Sequence, residues 1–117
     1  MRDNLWSFPP TSGHTAGADL TGFSVEATDG SIGKVDKQSD KAGSSYLIVD
    51  TGVWIFGKDV LLPAGTIKGI DTEQKKIRVD LTKDQIKDSP EFDRHSHAND
   101  PGYHAQVSGY YDHYRIL

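Results

Sequence analysis

Short stretches in which apolar and polar residues alternate fill the middle of the chain. Ile77, Val79 and Leu81, for example, are separated by single charged residues. A period of two indicates a β-strand with one face buried, and the continuous apolar run at 46–49 indicates a strand buried on both faces. The pattern predicts six strands, at about residues 23–27, 32–37, 46–50, 58–62, 66–70 and 76–81.

Turn and capping residues separate these strands and end the series. Asp29-Gly30 lies between the first two strands and favours a type I′ hairpin turn, in which both central residues have positive φ. Gly33, inside the second strand, predicts a bulge or a close approach of another backbone. Thr82 and Gln85 have the spacing of a capping box, which predicts a short helix that ends before Pro90.

The order of these elements predicts a mainly β fold. Six short strands followed by one short helix fit a small, strongly bent antiparallel β-barrel, in which closure removes exposed sheet edges. We assign the barrel to residues 19–92, an irregular N-terminal arm to residues 1–18 and an irregular His/Tyr-rich tail to residues 93–117. Dipeptides such as Pro9-Pro10 are typical of such irregular segments.

Three stretches of the predicted barrel resemble the PRC-barrel family, which is named for the cytoplasmic domain of the photosynthetic reaction-centre H subunit. The region that contains them, residues 19–92, covers about two thirds of the chain. A related barrel forms part of a bacterial ribosome-maturation factor. The stretches look like the family's opening hairpin, central strand pair and closing helix, and they are residues 22–35, residues 49–64, and residues 81–86 with Pro90 and Phe92.

The resemblance implies a β domain that binds partners and does not catalyse a reaction. In the H subunit the domain influences electron and proton transfer to a quinone, so an H-subunit-like regulator of electron transfer is an alternative implied by the resemblance alone. The sequence contains no membrane helix of the kind that accompanies that role. We therefore expect a free-standing soluble member.

Composition and charge exclude several classes of site. The chain has no cysteine, which rules out a disulfide framework and suits a cytoplasmic location. Thirteen basic and seventeen acidic residues give a net charge of −4, with most of the acidic excess in residues 88–117. We expect no nucleic-acid partner because there is no basic stripe. We also expect no membrane span, because no apolar run is long enough.

The C-terminal histidines are candidate metal ligands. His95 and His97 are two residues apart, and His104 and His113 follow. Imidazole can hold zinc, but a structural site needs fixed geometry and a supporting second shell. The surrounding residues are typical of a loop, so the sequence favours a solvated tail with adventitious affinity. We expect no bound cofactor, and a metal-binding protein using these histidines remains the alternative.

Two aromatic segments are candidate interfaces. Val53, Trp54, Ile55 and Phe56 lie between glycines and join the third and fourth strands. They either project from the end of the barrel as interface anchors or turn inward and plug it, and the sequence does not decide between the two. The second candidate interface is in the tail and comprises Tyr110, Tyr111 and Tyr114.

We expect the tyrosine tail to dock within a homo-oligomer, since a disordered tail usually has fewer aromatic residues. The sequence lacks a nucleophile elbow and a phosphate-binding loop of the required spacing, so we do not expect an enzyme. The leading hypothesis is a non-catalytic, self-associating interaction or scaffold module. It binds an unidentified protein partner through the segment 53–56 and the tyrosine tail.

Overall fold

The computed structural model describes residues 5–6, 8, 19–39, 45–52, 59–90, 92 and 100–115, the last four of these as backbone only. Six strands, two α-helices and one 3-10 turn make up this part of the chain. Their bounds are β1 Ser24–Ala27, β2 Gly30–Ser39, β3 Tyr46–Asp50, β4 Asp59–Pro63, the 3-10 turn Ala64–Thr66, β5 Ile67–Asp71, β6 Lys76–Val79, α1 Lys83–Lys87 and α2 Pro101–Arg115.

The strands form one sheet in the order β4-β3-β2-β1-β6-β5. All neighbouring strands are antiparallel except β1 and β6, which are parallel, whereas the sequence predicts an antiparallel barrel throughout. Among the described residues no ladder joins β4 to β5, so the sheet is not closed. Only the short turn Ala64–Thr66 separates these two edge strands along the chain. The mainly β fold with six strands and a short helix after the last one is confirmed.

Irregularities in the ladders bend the sheet. The register shifts between Val35 and Lys37 and again opposite Val25 and Glu26, and in both places the extra residue lies on β2. A further shift occurs on β5. Such bulges increase local twist and bend the strand that carries them. Gly33 has a φ of +154°, and a Cβ built on it lies 2.1 Å from the carbonyl oxygen of Asp50. The close backbone approach that the sequence predicts at Gly33 is therefore present.

The hairpin between β1 and β2 differs from the predicted turn. Ala27 pairs with Gly30, so Thr28 and Asp29 are the two central residues, and neither has positive φ. The Asp29 carboxylate instead accepts a hydrogen bond from the backbone N–H of Lys83, 2.8 Å away. This bond ties the hairpin to the start of α1.

Helix α1 begins with the predicted capping box. The Gln85 backbone N–H donates to the Thr82 hydroxyl at 3.1 Å, and the Thr82 N–H donates to the Gln85 side chain at 2.8 Å. These bonds satisfy donors that the first helical turn leaves without intrahelical partners. Ile86 is fully buried and packs the helix onto the core.

Residues 101–115 form helix α2, so the C-terminal part differs from the irregular arm that the sequence predicts. Pro101 is the first helical residue, and the Asp100 carboxylate accepts a hydrogen bond from the Gly102 N–H at 2.9 Å. Proline is favoured at the first helical position and aspartate at the cap before it. Asp100 and Pro101, which lie in the segment that the sequence predicts to be a loop, therefore start a helix.

One hydrophobic core unites the strands with both ends of the chain. Leu5 from the N-terminal arm belongs to it, as do Tyr103, Val107 and Tyr111 from α2. The three α2 residues are four apart, which places them on one face of the helix. The division of the chain at residues 18 and 92 stays a prediction, and the core extends across both boundaries.

Candidate functional site

The connection between β3 and β4 is the end of a hairpin. The two strands are antiparallel and consecutive, and their ladder ends at the pair Asp50 and Asp59. The Gly52 N–H donates to the Asp50 carboxylate at 2.9 Å, and Gly52 has a φ of +60°. Both features turn the chain as it leaves β3. The chain between these two paired strands is the β3–β4 loop, of which residues 53–58 lie outside the described residues.

Val53, Trp54, Ile55 and Phe56 lie on this loop but outside the described residues. The choice between an interface and a barrel plug therefore stays open at these four positions. The strands that carry the loop are firmly held, since Leu47, Val49 and Leu62 are completely buried. The loop thus connects two strands whose apolar residues belong to the core.

A row of mixed charge crosses the sheet at the level of the Asp50–Asp59 pair. Residues directly opposite each other in a ladder share one face of the sheet. Lys76, in this row, also lies 3.7 Å from the Glu26 carboxylate. Opposite signs interleave along the row, so it presents no single charge to a partner. In order from β4 to β5, the row is Asp59, Asp50, Lys34, Ser24, Lys76 and Asp71.

The tyrosines of α2 pack within their own chain. Tyr111 is completely buried, and Tyr103 is 3% exposed. The Tyr103 hydroxyl donates to the Pro90 carbonyl at 2.9 Å, and the half-buried Tyr110 donates to the Gln85 carbonyl at 2.5 Å. A partner cannot reach Tyr111 unless the helix moves. An interface role for these tyrosines stays a prediction, as it does for Tyr114, whose side chain is not described.

Burial raises the pKa of Tyr103, and the neighbouring Tyr111 adds to the shift. Burial also raises the pKa of Tyr46. A phenol that loses water and keeps a hydrogen-bond acceptor favours its neutral form. The Tyr103 and Tyr46 side chains are therefore held as neutral phenols, which is typical of tyrosines that pack in the interior.

His104 lies in an aromatic cluster. Its ring stacks on the Trp6 indole with centroids 4.7 Å apart and planes 15° apart, and the edge of Tyr46 is 5.5 Å away. His95 and His97 lie outside the described residues. Within the ranges that the structure describes, no three potential metal ligands come together. The described contacts of His104 are those of a packed ring.

Leu5 and Trp6, two apolar residues of the N-terminal arm, dock on the rest of the chain. The Ser45 N–H donates to the Trp6 carbonyl at 2.9 Å, and the Gly65 N–H donates to the Leu5 carbonyl at 2.6 Å. The indole N–H of Trp6 donates to the Ser108 hydroxyl at 2.7 Å. Two large apolar residues in a polar arm are a signal of docking, but the sequence does not indicate where they dock.

Comparison with known proteins gives a similarity of fold. No family model matches the sequence, and no curated protein matches it. Among solved structures, the chain is similar to the crystal structure of a protein named as the 16S ribosomal RNA processing protein RimM, from Pseudomonas aeruginosa. The TM-score is 0.49 and the sequence identity is 19%, over 66% of this chain and 50% of that one. This chain thus spans half the length of the protein it matches.

Two predicted properties of the partners are corrected. The expectation of no nucleic-acid partner is contradicted, because the matched protein is named as a ribosomal RNA processing protein. The expectation of a homo-oligomer rested on docking of the tyrosine tail, and it is unsupported because Tyr103 and Tyr111 are buried in their own chain. In the described part of the chain, neither helix is long and apolar enough to cross a membrane.

Proposed function

We propose that the chain is a non-catalytic binding module of PRC-barrel type, and that its partner contacts the β3–β4 loop at Val53, Trp54, Ile55 and Phe56. The observation that supports the proposal is the ladder that ends at Asp50 and Asp59, because this apolar segment connects the two antiparallel strands of that ladder. Aromatic residues at such a position are typical anchors of an interface.

The contacts of the aromatic residues outside the 53–56 segment support the choice of that segment as the interface. Trp6, Tyr103 and Tyr111 each contact other parts of the same chain, through ring stacking, a hydrogen bond or complete burial. The aromatic residues outside the 53–56 segment therefore serve the fold wherever their contacts are described.

The PRC-barrel part of the proposal rests on where the three resembling stretches lie. Residues 22–35 cover β1 and the first part of β2, residues 49–64 run from the end of β3 through β4, and residues 81–86 cover most of α1. Each stretch thus coincides with the element that the resemblance implies. No contact among the described residues favours the alternative of a regulator of electron transfer.

The non-catalytic character and a cytoplasmic location are parts of the same proposal. The buried hydroxyl of Thr66 donates a hydrogen bond to the Pro63 carbonyl at 2.8 Å. This bond holds the 3-10 turn, so the hydroxyl is not paired with a general base. The absence of cysteine fits a reducing compartment.

Photo-crosslinking in cells tests the proposal. A photoreactive phenylalanine replaces Trp54 in one full-length variant and Glu73, an exposed residue of the β5–β6 turn, in a matched control. We expect a discrete crosslinked species from position 54 that position 73 does not give, and we expect Phe56→Ser to reduce its yield at least tenfold. Equal yields from positions 54 and 73 would contradict the proposal.

Digestion of the crosslinked species then identifies the class of partner. A band that ribonuclease leaves unchanged indicates a protein, which is the class that an apolar, uncharged segment fits best. A band that collapses on ribonuclease treatment indicates RNA, to which Trp54 and Phe56 would bind by stacking on bases.

A further inference from the structure

Leu5 and Trp6 occupy a slot that three segments distant in the sequence build together. Ser45, just before β3, and Gly65, just after β4, donate their backbone N–H groups to the two carbonyls. Helix α2 supplies His104 and Ser108 on the other side. The dipeptide thus contacts the chain as a bound peptide contacts a receptor.

The slot recognises side chains as well as backbone. Leu5 is 3% exposed and belongs to the hydrophobic core, so its position is an apolar hole. Trp6 is only half-buried, yet its ring meets the His104 face and the Tyr46 edge, with centroids 6.3 Å apart in the second case. The Ser108 hydroxyl accepts the indole N–H. An aliphatic residue followed by tryptophan satisfies all of these groups.

We propose that this slot is a peptide-binding site, which the N-terminal arm fills as an intramolecular ligand. Its partner is a segment of another protein that presents an aliphatic residue followed by tryptophan. The two main-chain hydrogen bonds need only carbonyl groups, which any peptide supplies. The side chains are selected by the apolar hole at the Leu5 position and by the rings of His104 and Tyr46. This surface involves the β3 start, the β4 end and α2, and does not include the 53–56 loop.

Competition by the arm has a measurable consequence. A tethered ligand acts at an effective concentration of about 1 mM. For a free peptide with an intrinsic Kd of about 10 µM, the arm weakens apparent binding about 100-fold, because the free site is only fractionally available. Disabling the arm must therefore strengthen the binding of a peptide added in solution. A slot that closes or unfolds when the arm leaves predicts no such gain.

Fluorescence anisotropy with a labelled peptide of sequence MRDNLWSFPP, which is residues 1–10, measures this gain. The receptor is the full-length chain, either unaltered or carrying Leu5→Ser and Trp6→Ser. We expect the doubly substituted chain to bind at least tenfold more tightly than the unaltered one. Adding His104→Ala should weaken its binding at least fivefold, and a peptide with serine at both positions should not bind.

Equal affinity of the two receptors for the peptide, or equal binding of the serine control peptide, would overturn the proposal. If the doubly substituted chain does not fold, the milder Trp6→Phe variant decides the question. It keeps a ring on His104 but removes the N–H that Ser108 accepts, so the arm is weakened and the core residue Leu5 is retained. We expect this variant to bind the peptide several-fold more tightly than the unaltered chain, and no gain would overturn the proposal.

Discussion

Substitution of Gly33 by alanine is the perturbation whose structural consequence is most closely defined. The added Cβ would lie 2.1 Å from the Asp50 carbonyl oxygen, 2.9 Å from its carbonyl carbon and 3.0 Å from the Thr51 Cα. All three neighbours are backbone atoms, so no side chain can rotate away. The contact with the oxygen must open by about 1 Å to reach ordinary limits. That movement separates β2 from β3 at the Lys34–Asp50 pair.

The cost has two parts. Overpacking in a well-packed region costs about 1–3 kcal/mol. A non-glycine residue in a sparsely populated region of φ, here +154°, costs about 1–3 kcal/mol more. The sum of about 2–6 kcal/mol is a large part of the roughly 5–15 kcal/mol that stabilises a domain. At roughly 4 °C per kcal/mol, we expect Tm to fall by at least about 8 °C.

Two other glycines are matched controls for this measurement. Gly52 has a φ of +60° but nothing within 4 Å of its added Cβ, so Gly52→Ala isolates the conformational cost, about 1 kcal/mol. Gly69 has neither a close neighbour nor positive φ, so Gly69→Ala should change stability by less than about 0.5 kcal/mol. Thermal unfolding followed by circular dichroism compares the three variants. A Gly33→Ala variant no less stable than Gly52→Ala would refute the reasoning.

Three further predictions concern the helices. Thr82→Ala removes the hydroxyl of the capping box and should lower the free energy of unfolding by about 1 kcal/mol in urea titrations, whereas Thr82→Ser should restore most of it. Tyr111→Ala should cost about 3–5 kcal/mol because it empties a completely buried site, while Gln106→Ala, on the exposed face of α2, should be nearly neutral in the same titrations. Because the pKa of Tyr103 is raised by burial, its stabilising contribution is complete below the unfolded value of about 10 and is lost as the pH rises above it, by up to about 1.4 kcal/mol per pH unit. Stability measured from pH 9 to 11 should therefore fall less steeply in Tyr103→Phe, and an identical decline would contradict the assigned burial.

The strands and α1 could be predicted from local patterns in the sequence. The alternation of Ile77 and Val79 with charged residues, and the Thr82–Gln85 spacing, depend on neighbours within a few residues. Both are governed by backbone geometry that is the same in any fold. The sequence also predicted the close approach at Gly33, because glycine inside a strand has few other causes.

The C-terminal helix was missed because two local signals compete. Asp100-Pro101-Gly102 is typical of a turn, yet aspartate followed by proline is also a favoured helix start. The four-residue spacing of Tyr103, Val107 and Tyr111 is the signal that could have identified the helix. The interface prediction instead considered the residue type of Tyr110, Tyr111 and Tyr114, and not this spacing.

Contacts between distant segments could not be predicted from the sequence at all. The parallel pairing of β1 with β6 and the docking of Trp6 on His104 and Ser108 depend on how the sheet curls. No single-sequence pattern encodes which face of which element is near. The slot for the N-terminal arm therefore became visible only in the folded chain.

The most direct test of the account is the thermal stability of the full-length Trp54→Ser/Phe56→Ser variant. If Trp54 and Phe56 contact a partner and not the core, the free energy of unfolding should change by no more than about 1 kcal/mol. If the two rings instead plug the barrel, their loss should cost about 3–5 kcal/mol each. A chain that unfolds at a much lower temperature, or does not fold, would contradict the central claim, whereas a Tm within roughly 4 °C of the unaltered chain is the predicted result.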